Sequence, residues 1–551
     1  MNRNVESHFA TLPKVDISRS RFDRSSSIKL SFNAGDIIPF YVDEVLPGDT
    51  FNIDTSKVVR MPSLITPIMD NIYLDTYFFF VPNRLVWSHW KEFNGENTQS
   101  AWIPQTEYEV PQITAPASTG WNIGTIADYM GIPTGVPGLS VNALPFRAYA
   151  LIMNEWFRDE NLSDPLNIPV DDATVVGVNT GTFVTDVAKG GLPYTAAKYH
   201  DYFTSCLPAP QKGPDVTIPV SGGANLPVVP LAQTVPSDLL NNQQYTAYYA
   251  SGSPSSGNAY GLSFNSDGTQ GSDQQSATAF NVSPVINNLW AVDQGSVSAA
   301  TINQLRMAFQ VQKLYERDAR GGTRYIEILK SHFGVTSPDA RLQRPEYLGG
   351  NRIPITINQI LQQSETTSTS PQGTPVGQSL TTDVHSDFTK SFVEPGFVIG
   401  LLVARYDHTY QQGLERFWSR KSRFDYYWPV FANIGEQAVL NQEIYAQGNA
   451  EDTEVFGYQE AWADYRYKSN RVAGEMRSTY AQSLDVWHLG DDYDTLPSLS
   501  DSWIREDKTT IDRVIAVTSA VSHQFFADIY VKNRTTRPMP MYSIPGLIDH
   551  H

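Results

Sequence analysis

Cysteine is all but absent, with Cys206 the only one in 551 residues. A lone thiol excludes an intrachain disulfide and any metal cage built from several thiolates, and it fits folding in a reducing compartment. Long apolar runs are missing too. The longest, Phe397 to Ala404 (FVIGLLVA), is far too short to cross a bilayer, and the opening MNRNVESHFATLPKVDIS has no apolar signal region, so neither secretion nor membrane insertion is expected. Charge is sparse at 18% of residues, and positive charge is the sparser kind. A formal net charge of -18 excludes a chain that coats nucleic acid unaided, because neutralising phosphates takes clustered Lys and Arg. Such contact must be local or must use a separate basic partner. Nucleotide-binding and catalytic signatures are also lacking: there is no G-x-x-x-x-G-K-[ST], no H-E-x-x-H and no G-x-G-x-x-G after a strand. No internal repeat of 20 to 50 residues is found, which argues against a propeller or solenoid.

What is present leans to β structure. Aromatics make up 12% of the chain, and 37 Gly with 35 Pro interrupt helices and mark turns. IIPFYV (37 to 42), NIYLDTYFFFV (71 to 81), Phe397 to Tyr406, Arg513 to Ala520 and Gln524 to Lys532 read as strands, the last two as an antiparallel pair, with LPGDTF as a turn. Helical spacing occurs over Ala143 to Arg158, with Leu144, Ala148, Leu151 and Trp156 near one face. It occurs again over Thr301 to Arg320 through Ile302, Leu305 and Phe309, stopped by Gly321-Gly322. Residues 1 to 36 read as an extended, locally basic arm. Between Gln211 and Ala300 charge almost vanishes, and VVPLA, YTAYYA and NNLWAV are the only candidates there for short strands. This stretch reads as a large insertion outside the main domain.

Few residues suggest chemistry. Asp491, Asp492 and Asp494 in DDYDT have the alternating oxygens of a hard-cation loop, although a solvated acidic loop is the commoner meaning. His550-His551 reads as a tail rather than a metal site. Asp171-Asp172 and the Asp159-Glu160 neighbourhood offer the carboxylates of a glycoside hydrolase, with 11 Trp available to stack on sugars, but no motif supports that. The arm carries Arg3, Lys14, Arg19, Arg21 and Arg24, with Phe9 and Phe22 interleaved. These can lie along single-stranded nucleic acid, or pair with acids of a neighbouring subunit; composition leaves both open.

Several strings resemble one family closely: IIPFYVDEVLPGDTF (37 to 51), DTYFFFVPNRLVWSHW (75 to 90), LPFRAYALIMNEWFRDENL (144 to 162), QKLYERDARGGTRYIEIL (312 to 329), FGYQEAWADYRYK (456 to 468) and RPMPMYSIPGLIDHH (537 to 551). They are similar to the major capsid protein of gokushoviruses, the microvirus subfamily of small tailless single-stranded DNA bacteriophages, over most of the chain outside 211 to 300. The resemblance implies a non-enzymatic structural protein without cofactors: a mainly β chain with a single eight-stranded antiparallel jelly roll, long loop insertions and a few short helices. It implies jelly-roll segments at 37 to 210 and 301 to 551, and at 211 to 300 a variable insertion forming a protrusion at the threefold axes that touches a host receptor. It further implies assembly in the bacterial cytoplasm into a T=1 virion shell of 60 copies around circular single-stranded DNA. A small basic DNA-packaging protein and a pilot protein are the implied partners. The rival reading from composition alone is an extracellular β enzyme or carbohydrate-binding module.

Overall fold

The run IYLDTYFFFVP sets large side chains on both faces of one strand, which therefore needs cover on both sides. In the computed structural model it sits near the middle of an architecture that provides this. The structure describes residues 18–97, 106–216, 225–227, 245–246, 261–264, 270–272, 290–292, 302–336, 343–363, 366 and 371–542. Beside several short strands in small sheets, the principal strands of the main unit are β1 (Ser20–Asp23), β2 (Ser26–Phe32), β3 (Ile38–Val45), β4 (Thr50–Arg60) and β5 (Ile72–Pro82), followed by β6 (Glu346–Gly349), β7 (Arg352–Pro354), β8 (Thr381–Ser391), β9 (Gly396–Tyr406) and β10 (Phe525–Arg537).

They form two antiparallel sheets. In the first, β10 lies between β4 and the consecutive pair β1 and β2, and β4 is flanked by β8. In the second, β9 lies between β3 and β5, and β5 is flanked by β6 and β7. The chain is thus mainly β, with few and mostly short helices. The basic segment read as an arm enters the first sheet at Ser20 and stays in it to Phe32.

The sheets differ in how they are covered. Along β4 and β10 buried and accessible residues alternate, so the first sheet has one core face and one open face. Along β9 every residue except Arg405 is buried. Phe78 and Phe80 of β5 join Phe32, Phe51, Leu402, Phe525 and Ile529 in a core between the sheets. Phe79 and Val81 point the other way, into a second core with Trp87, Trp121, Phe146 and Tyr149. A Cβ on Gly400 of β9 would stand 2.8 Å from Phe78 and 3.0 Å from Phe40, so only glycine lets these rings close over the strand.

The second core is roofed by helix α1 (Leu144–Ile152), continued by a π turn over Met153–Phe157. The expected one-sided face is an underestimate: Phe146, Arg147, Tyr149 and Ala150 are buried as well as Leu144 and Ala148, while Trp156 is partly exposed. A helix enclosed between a sheet and its connectors has no solvent side to show a stripe. Arg513–Ala520 is not a strand but a turn, bridged to Leu64 through Ile515 and packed into the core between the sheets through Val514 and Ile515. Gln524–Lys532 does belong to a strand, β10, whose partners are β1, β2 and β4 rather than 513 to 520.

A second unit spans Gly213–Leu314. Its described strands are Asn225–Pro227 paired with Trp290–Val292, and a three-stranded sheet of Tyr245–Thr246, Gly261–Phe264 and Gln270–Ser272. YTAYYA and NNLWAV overlap two of these, whereas VVPLA lies outside the described residues. The expected helix at 301 to 320 is α2 (Ile302–Gly321), followed by α3 (Tyr325–Phe333). Among the described residues no helix is long and apolar enough to cross a membrane.

Past β9 the chain is fastened by a buried ionic group. His408 sets Nδ1 2.9 Å from Asp491 and Nε2 3.0 Å from Glu506, with Lys198 3.7 Å from Asp491. Burial alone would lower the His408 pKa, but the two carboxylates outweigh it and push it up to about 10. A proton held more tightly in the folded than in the unfolded chain stabilises the fold fully below about pH 6.5, and that contribution is lost as the pH rises toward 10. The unfolding midpoint should fall across this window. His408→Gln, which strands two buried carboxylates, should cost about 3–5 kcal/mol at pH 6 and flatten the dependence, as followed by thermal melts at several pH values.

Candidate assembly surface

Between β9 and β10 the chain runs as irregular connectors rich in aromatics, and two of them, 411 to 435 and 462 to 480, lie side by side. Short turns at Arg416–Ser419, Arg423–Asp425 and Pro429–Phe431 shape the first. Asp425 accepts the backbone N–H groups of Ser422 at 2.6 Å and Lys421 at 2.8 Å, which holds its carboxyl below the usual range. Trp462, with φ at 65°, takes the left-handed backbone conformation, and its indole Nε1 donates to the Phe431 carbonyl at 3.0 Å. Tyr427 packs edge-on to the same ring.

Cations brace this layer from within. Arg420 pairs with Asp464 and stacks on Tyr465 at 4.3 Å, Lys468 pairs with Glu415 beside Phe417, and Arg416 donates to the Ala438 carbonyl at 2.8 Å. Beneath lies a third core of Phe203, Cys206, Tyr410, Ile444, Phe456 and Trp503. Burial pushes the Cys206 thiol pKa up, so this cysteine is a packed side chain rather than a reactive one. A cleft of about 450 Å³ opens between the connectors, lined by Phe417, Trp418, Tyr465 and Arg471 among others.

The outer side of the layer is bare. Trp418 is 68% exposed, Phe424 60% and Val430 82%, and Tyr426, Trp428 and Tyr467 are each more than half exposed. Contiguous exposed aromatics held rigid by hydrogen bonds from behind are what a protein contact surface requires: large area at little loss of entropy on binding. On α2, Ile302, Met307 and Phe309 are likewise exposed.

The residues singled out from sequence are scattered. Arg3 and Lys14 lie outside the described residues. Arg19 is exposed and lies against the Gly48 turn, and Arg21 sits in β1 opposite Thr536. Arg24 makes a bidentate pair with Asp43, both bonds 2.6 Å, and Asp43 also accepts from Tyr41, itself bonded to Asn533 of β10. Arg24 therefore ties the two sheets together. Arg24→Ala should lower stability by about 2 kcal/mol in a denaturant titration, with Arg19→Ala near neutral.

Most of the carboxylates considered for catalysis or metal have other partners. Asp491 is held by His408 and Lys198 and is buried, whereas Asp492, which accepts from Gln412, and Asp494 are exposed, as a solvated loop requires. Asp172 accepts from Trp87 Nε1 at 2.6 Å and lies 2.9 Å from His89, and Asp171 faces Arg147. Glu160 accepts from the Thr323 backbone and lies 2.8 Å from Arg324, while Asp159 caps Asn161 and Leu162. Among the described residues no group of three or more His, Cys, Asp or Glu is placed to hold a metal ion, and His550-His551 lies outside them.

A braced aromatic surface on a two-sheet subunit, with its carboxylates engaged in structural bonds, defines a structural protein that works by associating with other protein. The comparison with known proteins gives the family. The family model described as capsid protein (F protein) matches residues 10–547, and the chain belongs to that family. It is 44% identical over 550 residues to capsid protein VP1 of Bdellovibrio phage phiMH2K, covering 99% of this chain and 98% of that one. It is 42% identical to capsid protein VP1 of Chlamydia phage 1, covering 98% of both. Against capsid protein VP1 of Spiroplasma virus 4 it is 43% identical, covering 96% of both. The resemblance to gokushovirus major capsid proteins is borne out, and the chain is a structural component of a virion.

If the connectors form the contact between subunits, Trp418→Ala and Val430→Asp should remove assembled particles while leaving the melting temperature of the free subunit unchanged. Sedimentation velocity and thermal melts check this. Full particle yield from both variants would contradict it.

Proposed function

We propose that this protein is the major capsid protein of a T=1 shell, sixty copies closing around a circular single-stranded DNA genome. The observation that carries the reading is the bare, braced aromatic layer of the connectors, which one subunit leaves uncovered and a closed shell of identical subunits would bury. The subunit core is an eight-stranded jelly roll. Counting β1 with β2 and β6 with β7, the eight strands run 1-8-3-6 in one sheet and 5-4-7-2 in the other, the order that two interlocked Greek keys produce, and this supports the assignment.

A chain with a net charge of -18 adds no overall neutralisation of DNA, so a small basic packaging protein supplies it, and a pilot protein completes the particle. Arg3, Lys14, Arg19 and Arg21 meet the genome locally, whereas Arg24 belongs to the fold. Residues 211 to 300 form the threefold protrusion and engage the host receptor, a stretch low enough in charge to vary freely. Assembly takes place in the host cytoplasm, in keeping with a single buried thiol.

Sixty copies of a 61.4 kDa chain give about 3.7 MDa before DNA, so native mass spectrometry of purified particles tests the stoichiometry directly. Trimming 211 to 300 should preserve the count of sixty copies, with the particle lighter by the deleted residues, while reducing adsorption to host cells. A subunit that no longer folds without the segment would refute the attachment role.

A further inference from the structure

The open face of the first sheet differs from the connectors in composition. Alternation along β10 turns Phe526 and Tyr530 outward from its buried residues, and they are 40% and 45% exposed. Four residues apart on one strand, they stand about 13 Å from each other on the same face. Strand register sets cations around them: Arg60 opposite Phe526 on β4, Lys29 beside Asp528 on β2, Lys532 and Arg534 further along β10, and Arg21 on β1. The carboxylates on this face are Asp23, Asp54 and Asp528. Asp528 lies 3.5 Å from Lys29 and Asp54 3.7 Å from Lys532, both pairs solvent-exposed and weak. Among the described residues no carboxylate forms an ion pair with Arg21 or Arg60, and Asp23 of β1 stands opposite Arg534 and is attracted by its charge. Hydroxyls fill much of the rest, with Ser27 and Ser56 on either side of Tyr530 and Thr389 beside Asn52. At the Phe526 end a cleft of about 720 Å³ opens between the sheet and Tyr129, with Lys29 and Arg60 in its wall.

We infer that this face is a platform for single-stranded DNA, on which Phe526 and Tyr530 stack bases while Arg21, Arg60 and Arg534 hold phosphates. The inference rests on the proposed enclosure of single-stranded DNA. The Ser, Lys and Asp between these aromatics and arginines are residue types depleted at the cores of protein contacts. The same groups suit a nucleic-acid backbone: Arg, Lys, Ser and Thr supply most phosphate contacts, and exposed aromatics on a sheet accept bases regardless of sequence. In the connector layer, by contrast, Arg420 is paired with Asp464 and Lys468 with Glu415. The charge sign also fits, five cations against four carboxylates once Asp128 of the cleft is counted, in a chain of net charge -18. It follows that the first sheet faces the shell interior and the roofed second sheet lies farther out.

Ultraviolet crosslinking of intact DNA-filled particles, followed by digestion and mass spectrometry, tests this on the full chain. Nucleotide adducts are expected on Phe526 and Tyr530. The double variant Phe526→Ala and Tyr530→Ala is expected to form shells in near-normal yield with adducts on this strand lost and packaged DNA reduced severalfold. Adducts confined to other segments in wild-type particles would overturn the inference while leaving DNA enclosure intact. Wild-type particles without single-stranded DNA would instead overturn the reading it depends on. Loss of shells from a variant whose subunits still fold would assign the face to subunit contact.

Discussion

A strand that is apolar on both faces must be covered twice, and β5 and β9 impose that demand on the whole subunit. One covering is the first sheet, packed through Phe32, Phe51 and Phe525. The other is α1 with the connectors that carry Trp87 and Trp121. Because the second sheet takes cover from both sides, the first is left with an open face. The same economy of cover leaves the connectors after β9 with their inner rings buried and their outer rings bare. Sheet asymmetry and exposed aromatics are two outcomes of one packing constraint, and both matter only when many copies meet. A core Phe in this position contributes several kcal/mol, so Phe78→Ala or Phe80→Ala removes about 3–5 kcal/mol.

Buried polar groups on both faces of the second sheet add register rather than bulk. Lys57 of β4 is buried and reaches Asn351 at 2.7 Å, Thr76 of β5 at 3.3 Å and Asp383 of β8 at 3.1 Å. Asp75 accepts from Arg352 at 2.7 Å and Arg405 at 2.6 Å, joining β7, β5 and β9. Burial would raise the Asp75 pKa, but the two guanidiniums outweigh it and hold it below the ordinary value. Such groups lose much when one partner is removed and specify alignment while present. The His408 group does the same beyond the sheets.

Sequence pattern revealed the strands whose apolar residues are dense. FFFV and FVIGLLVA mark β5 and β9, and the helical spacing at 143 to 158 and 301 to 320 marks α1 and α2. It missed β4 and β8, where TFNIDTSKVVR and TTDVHSDFTKS alternate between core and solvent and half the residues are hydroxylic or charged. It mistook 513 to 520 for a strand because β-branched residues there pack as a turn against Leu64. The aromatic connectors WSRKSRFDYYW and WADYRY were visible as composition, but their exposure depends on which residues sit underneath, which only the fold decides. Arg24 resembled Arg19 and Arg21 in sequence and differs from them because Asp43 lies opposite it. The platform residues of β10 had no signal beyond an ordinary alternating strand; their meaning comes from their exposure, no layer covering them among the described residues.

The central claim is that the connector layer at 411 to 435 and 462 to 480 is covered only by other copies of the chain. Hydrogen exchange followed by mass spectrometry on free subunits and on assembled particles measures this segment by segment. Amides of these connectors are expected to exchange freely in the subunit and become strongly protected in the particle, while those of β5 and β9 are protected in both. Equal exchange of the connectors in the two states would contradict it.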